Sequence, residues 1–187
     1  MFIETEITPN PKALKFIPDQ PVLESGTIHF TDREKAKKSP LALTLFSIAD
    51  VTGVLLAPGF ISVTIKSGDW QARKPEILGL IMEHFTAGHP VVLEEEKAAA
   101  SGKDSGEAGE EDSKIVLQIK AVLDEKVRPA VAQDGGDVIF SKFEDGIVYL
   151  HMQGACSGCP SSVVTLKSGI ENLLKYYIPE VEEVRQT

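Results

Sequence analysis

Apolar and polar positions alternate from the start of the chain. Ile3, Thr5 and Ile7 fall on one side and Phe2, Glu4 and Glu6 on the other, a period of two that predicts a strand. The turn residues of TPNPK follow, and ALKFI resumes as a second strand. In SPLALTLFSI, Ser39 stands where an N-cap belongs and Pro40 in a first-turn position, so a short helix is expected. The runs VTGVLLA and ISVTIKS, separated by PGF, predict a hairpin. Ile77, Ile81 and Phe85 in KPEILGLIMEHF recur at i, i+4 and i+8 and form one helical face. PVVLE is then expected to close the sheet.

Helical periodicity returns in SKIVLQIKAVLDEKVRPAVAQ, where Ile115, Ile119, Leu123 and Val127 recur every fourth residue, with Ser113 as the expected cap. DGGD stops that helix, because Gly135 or Gly136 can adopt the left-handed conformation at its end. VIFSKF and GIVYLHM are short β-rich runs joined by a turn signal at Asp145-Gly146. Alternation puts Val148, Leu150 and Met152 on one face and Ile147, Tyr149 and His151 on the other. Farther on, Val163, Leu166, Ile170, Leu173 and Tyr177 make a helical stripe that Pro179 ends. EVEEV reads as a last short strand.

Between these patterned regions, residues 94–113 hold eight acidic residues against two lysines and no aromatic or branched aliphatic side chain. Such a stretch cannot bury enough surface to offset its ordering entropy and is expected to be a solvated, self-repelling linker. The expected organisation is therefore α+β: two small mixed domains, 1–93 and 114–187, joined by a flexible acidic linker, 94–113. The second domain runs helix, strand, strand, helix, strand, and neither half repeats the other.

The chain has 187 residues, 42% of them hydrophobic, and a formal net charge of −9. That length supports two packed cores, and the acidic balance argues against nucleic-acid binding. No apolar run approaches the ~20 residues that span a membrane. The N-terminus carries neither secretory nor transit-peptide character, so a cytoplasmic location is expected, or the mitochondrial matrix for a processed form. In the first half, His29, His84 and His89 are dispersed and read as surface or packing residues, and Trp70 as a core or contact anchor. No nucleophile–base pair stands out there, and the chain is expected not to be an enzyme.

The chemistry concentrates in GACSGCPSS, which holds the chain's two cysteines, Cys156 and Cys159. Pro160 suits the first position of a helix, which places both thiols on the loop leading into it. A helix N-terminus favours negative charge and is expected to lower a thiol pKa, promoting the thiolate that serves as metal ligand or nucleophile. A disulfide across so small a loop would constrain little unfolded-state entropy. A thioredoxin-like dithiol would follow a parallel strand, whereas the run before Cys156 looks like the second strand of a hairpin. Zinc would need a second ligand pair, which only another chain could supply; His151, the one histidine nearby, reads as structural. A [4Fe–4S] cluster needs four thiolates, and two chains about a two-fold axis would provide them.

VRPAVAQDGGDV followed by YLHMQGACSGCPSSVVTLKSGIENLL resembles the C-terminal NifU-type domain of Nfu iron–sulfur scaffold and carrier proteins. TPNPKALKF, SPLALTLFSI, VTGVLLAPGFISVTIKS and KPEILGLIMEHF are similar to the Nfu N-terminal domain. The resemblance implies a homodimer that binds a [4Fe–4S] cluster through Cys156 and Cys159 of each subunit. It implies a carrier that takes a cluster from an upstream scaffold and delivers it to apo-proteins of the lipoyl synthase or aconitase type. The Asp134–Asp137 motif carries over as a motif, read here as a turn.

Overall fold

The computed structural model describes residues 1–93, 110–157 and 160–187. The chain divides into two compact units, Met1–Lys103 and Asp104–Thr187. The division falls inside the acidic stretch expected as a linker, whose residues 94–109 lie outside the described ones.

In the first unit, β1 (Ile3–Ile7), β2 (Ala13–Pro18), β3 (Ile28–Phe30), β4 (Val51–Ala57) and β5 (Phe60–Ile65) form one antiparallel sheet in the order β1-β2-β5-β4-β3. The predicted hairpin is β4–β5. Three helices, α1 (Arg33–Ala36), α2 (Pro40–Leu45) and α3 (Trp70–Thr86), accompany the sheet. Phe16, Val54, Leu56, Ile61, Val63 and Ile65 from the strands share a core with Leu41, Leu45, Ile77 and Ile81 from the helices. Ser39 caps α2 as expected, accepting from the Ala42 amide at 3.1 Å.

Two expectations change here. The third helix starts at Trp70, a turn before KPEILGLIMEHF, because Asp69 caps it and the Trp70 indole N–H donates to the Pro11 carbonyl. Pro75 is carried inside that helix near its start, and Gln71, the residue four back from which the proline withholds an N–H, is exposed. PVVLE does not add a strand. Val92 instead packs into the core, and the Leu93 amide donates to the Lys38 carbonyl.

The second unit runs α4 (Glu110–Val122), a five-residue π-helical turn (Leu123–Val127), α5 (Arg128–Gln133), β6 (Gly136–Glu144), β7 (Ile147–Gly154), α6 (Pro160–Tyr177) and β8 (Glu183–Gln186). Ser113 lies inside α4 rather than capping it, because the helix already begins at Glu110. The π turn precedes Pro129, whose missing N–H and bulky ring disfavour a regular α ladder, and the Arg128 amide donates to the Leu123 carbonyl.

β6 and β7 form the expected hairpin, with Asp145 and Gly146 both at positive φ. β8 pairs with β7 in parallel, so β7, α6 and β8 make a strand–helix–strand crossover. Ile119, Leu123, Val127, Val148, Leu150, Met152 and Ile170 fill the core. Leu174 and Ile178 take the buried places at the end of the α6 stripe, and Tyr177 is exposed.

Candidate metal centre

β7 ends at Gly154, whose φ of 66° turns the chain sharply. The Ser157 amide and hydroxyl both donate to the Gly154 carbonyl, at 3.0 and 2.8 Å, closing a tight turn around Ala155 and Cys156. α6 begins at Pro160, as the sequence predicts. Cys159, the second ligand candidate, lies outside the described residues.

Cys156 points inward. Only 4% of its surface is exposed, and it belongs to the core of the second unit. Its sulfur occupies space that exists because residue 136 is glycine: a Cβ there would lie 2.5 Å from Sγ and 2.9 Å from the Gln153 carbonyl oxygen. The Ala155 amide donates to the Gly135 carbonyl at 3.1 Å, tying the cysteine turn to the DGGD turn. DGGD is therefore a wall of the cysteine seat as well as a helix stop.

The outer residue of that motif, Asp137, is 3% exposed. Its carboxylate accepts from Arg128 through Nε and Nη2, both at 2.9 Å, and from the Val138 amide at 2.8 Å. Arg128 also donates to Asp124, one turn back. The pair shifts the guanidinium pKa upward, chiefly through the hydrogen bonds to Asp137.

The expectation of a lowered Cys156 pKa is overturned. Burial pushes this thiol up to about 12, and the carboxylates of Asp134 and Asp137 push it the same way. Desolvation outweighs the helix dipole because the sulfur is enclosed by apolar neighbours and faces two anions. In the metal-free protein Cys156 is thus a protonated thiol at neutral pH. A bound cation reverses that balance, since a coordinating thiol is held deprotonated. Because Cys156 is part of the core, its substitution also touches packing.

His151 sits on the outward face of β7, with Nδ1 3.2 Å from the Thr187 carbonyl, and is not brought to the cysteine. Among the described residues no group of three or more His, Cys, Asp or Glu side chains is placed to hold a metal ion. Gly136, against Cys156, and the Arg128–Asp137 pair are contacts that the reading of DGGD as a turn does not contain. The available signal was an Arg and an Asp nine positions apart across a helix end.

The comparisons with known proteins fall on both units. Residues 119–185 match the NifU-like domain and residues 3–88 the scaffold protein Nfu/NifU N-terminal domain. The whole chain aligns at 52% identity over 189 residues with 72% of the human "NFU1 iron-sulfur cluster scaffold homolog, mitochondrial". The chain belongs to the Nfu family. It is also 48% identical over 190 residues to "NifU-like protein 4, mitochondrial" of Arabidopsis thaliana, covering 66% of that protein. It is 45% identical over 188 residues to the Drosophila sechellia "NFU1 iron-sulfur cluster scaffold homolog, mitochondrial", covering 65% of it. In this Nfu chain, the N-terminal match spans the five-stranded sheet with α1, α2 and α3, and the NifU-like match spans the cysteine turn and its DGGD wall.

Proposed function

We propose that this chain is an iron–sulfur cluster scaffold, as relatives are named, and also a carrier. It holds a [4Fe–4S] cluster between two copies through Cys156 and Cys159 of each, and passes it to apo-proteins. The observation that carries this reading is the Cys156 seat: a soft thiol donor, built into a NifU-like fold, with no further set of ligands grouped around it in the same chain among the described residues. Four thiolates satisfy such a cluster, and a second subunit would supply the missing pair. The cluster is cargo. Its release is a ligand exchange in which iron–sulfur bonds to Cys156 and Cys159 break as bonds to client cysteinates form. The client thiols give up protons, the carrier thiolates take protons up, and no electron moves. Nothing in this cycle requires an enzyme.

Partners of the reading are an upstream cluster donor and iron–sulfur clients of the lipoyl synthase or aconitase type, with no role for nucleic acid or membrane. No described helix is long and apolar enough to cross a membrane. The relatives carry the word mitochondrial in their names, which supports the matrix over the cytoplasm.

A thiol–disulfide oxidoreductase gains one point from the structure, because the cysteine turn does sit in a β7–α6–β8 crossover. It loses more: a nucleophilic thiol should be exposed and easily ionised, and Cys156 is neither. A zinc-bridged dimer would use the same thiols.

Anaerobic reconstitution with iron and sulfide separates the three. The carrier takes up about four iron and four sulfide per two chains, turns brown and sediments as a dimer. A colourless zinc-loaded dimer, or metal-free reduction of a disulfide substrate without iron uptake, would overturn it.

A further inference from the structure

The proposed carrier leaves one arrangement unexplained. Arg128 and Asp137 form a bidentate pair with a buried carboxylate, yet neither is a ligand candidate. The pair joins the start of α5 to the start of β6, and the residue between Gly135 and Asp137 is Gly136, the floor under Cys156 Sγ. We propose that Arg128, Asp137 and Gly136 are positioning residues for Cys156: the ion pair fixes the first residues of β6, and the missing Cβ of Gly136 leaves the space in which the sulfur is held before iron arrives. The inference rests on the carrier reading for its purpose, but its geometry stands without it.

The chain of contacts is short and each link has a direction. The Val138 amide donates to Asp137, so the carboxylate is fixed to its own strand as well as to the guanidinium. The Gly135 carbonyl, on the other side of Gly136, accepts from Ala155, the neighbour of Cys156. In register, Gly136 lies opposite Gly154 and Asp137 opposite Gln153, so the strand start and the cysteine turn are laid against each other. A shift of β6 would move Gly136 from beneath the sulfur and bring a neighbouring residue with a Cβ toward that space. The π turn ending at Val127 rotates Arg128 into its place at the head of α5. Two glycines face each other at 136 and 154 because one leaves room for Sγ and the other turns the chain.

Fold maintenance alone makes a different claim. A structural ion pair changes stability when removed and leaves the accessibility of Cys156 to follow global unfolding. A positioning role changes the local opening of one thiol in a protein that is still folded.

The test uses the full chain carrying Cys159→Ser, so that Cys156 is the one thiol, and measures alkylation by iodoacetamide in the metal-free protein. Circular dichroism confirms folding. Gly136→Ala is expected to raise the alkylation rate about tenfold. Arg128→Gln is expected to raise it severalfold, and Arg128→Lys, which keeps the charge but loses the fork, to fall between Gln and the parent. The same three substitutions with Cys159 restored are then reconstituted with iron and sulfide, with uptake expected to fall in the same order. If Gly136→Ala fails to fold, the two Arg128 variants decide. Unchanged alkylation in folded Arg128→Gln and Gly136→Ala overturns the proposal. Altered alkylation in a protein whose parent takes up no iron leaves the seat standing and overturns the carrier reading instead.

Discussion

The two units bury polar groups for different ends. Among the described residues, three of the four buried polar residues in Met1–Lys103 end or close an element. Ser39 caps α2, Asn10 holds a turn by accepting from the Lys12 amide, and His84 ties the end of α3 to the Pro90 carbonyl; the fourth, Ser62, sits within β5. In Asp104–Thr187 the buried polar residue among those described is Asp137, paired with Arg128 and next to Gly136, which lies against a thiol. One unit uses most of its buried polar groups to end elements around an apolar core. The other places a cysteine sulfur inside its core, with backbone arranged around it. The first unit is expected to behave as an ordinary packed domain, and the second as a domain whose stability and chemistry share residues.

The comparison breaks most visibly at Ile77. This side chain is fully buried between α3 and the sheet of the first unit. Ile77→Ala is expected to destabilise that unit by about 3 kcal/mol through lost burial and a residual cavity. Scanning calorimetry should show the transition of the first unit lowered and that of the second unmoved, with iron uptake per chain as in the parent. Loss of uptake would mean that the first unit takes part in holding the cluster.

Cys156→Ala sharpens the same contrast from the other side. Removing a buried sulfur from the core of the second unit is expected to cost about 1 kcal/mol, in the range of a single buried group. Iron uptake should vanish entirely. Stability and loading therefore move together at Cys156 and separately at Ile77. A Cys156→Ala protein as stable as the parent would show that the sulfur contributes nothing to packing, and would weaken the picture of a seat built into the core.

What could be read from the residues follows the range of the forces involved. The Asp145-Gly146 hairpin, the Ser39 cap and the i, i+4 stripe from Ile115 to Val127 are local, and periodicity or turn chemistry reports them directly. The spacing of Cys156 and Cys159 before Pro160 is likewise a local pattern, and it is what suggests a ligand pair. The parallel pairing of β8, the packing of Val92 in place of a closing strand, and the extension of α3 back to Trp70 depend on partners far away in the chain. The pKa of Cys156 was misjudged for the same reason. The helix dipole is visible as a Pro after a Cys, whereas the enclosure that raises the pKa comes from burial in the core of the second unit, with Asp134 and Asp137 adding to it.

The smallest effect concerns pH and again separates the units. His84 is 4% exposed, and burial pushes its imidazole below the ordinary value of 6.5, with His89 adding to the shift and the bond to the Pro90 carbonyl opposing it. The unfolded chain therefore binds a proton at a higher pH than the folded one. Between the two pKa values the unfolded state carries more protons, so stability rises with pH there. His84's contribution is full above pH 6.5 and is lost as pH falls through 6.5 toward the lowered folded value. The carboxyls of Asp32 and Asp50 in the same unit are held below their ordinary 3.8, chiefly by hydrogen bonds from Lys35 and Ser67, so their contributions are lost only as pH falls through that lower range. The window at and just below pH 6.5, above the range of those carboxyls, is where the histidine is expected to act. Urea midpoints of the first unit, followed by Trp70 fluorescence, should fall across that window. His84→Gln should flatten the fall while lowering the midpoint at pH 7. An equally steep fall in His84→Gln would assign the proton to another group and remove His84 from the set of buried polar residues that this unit uses to close its core.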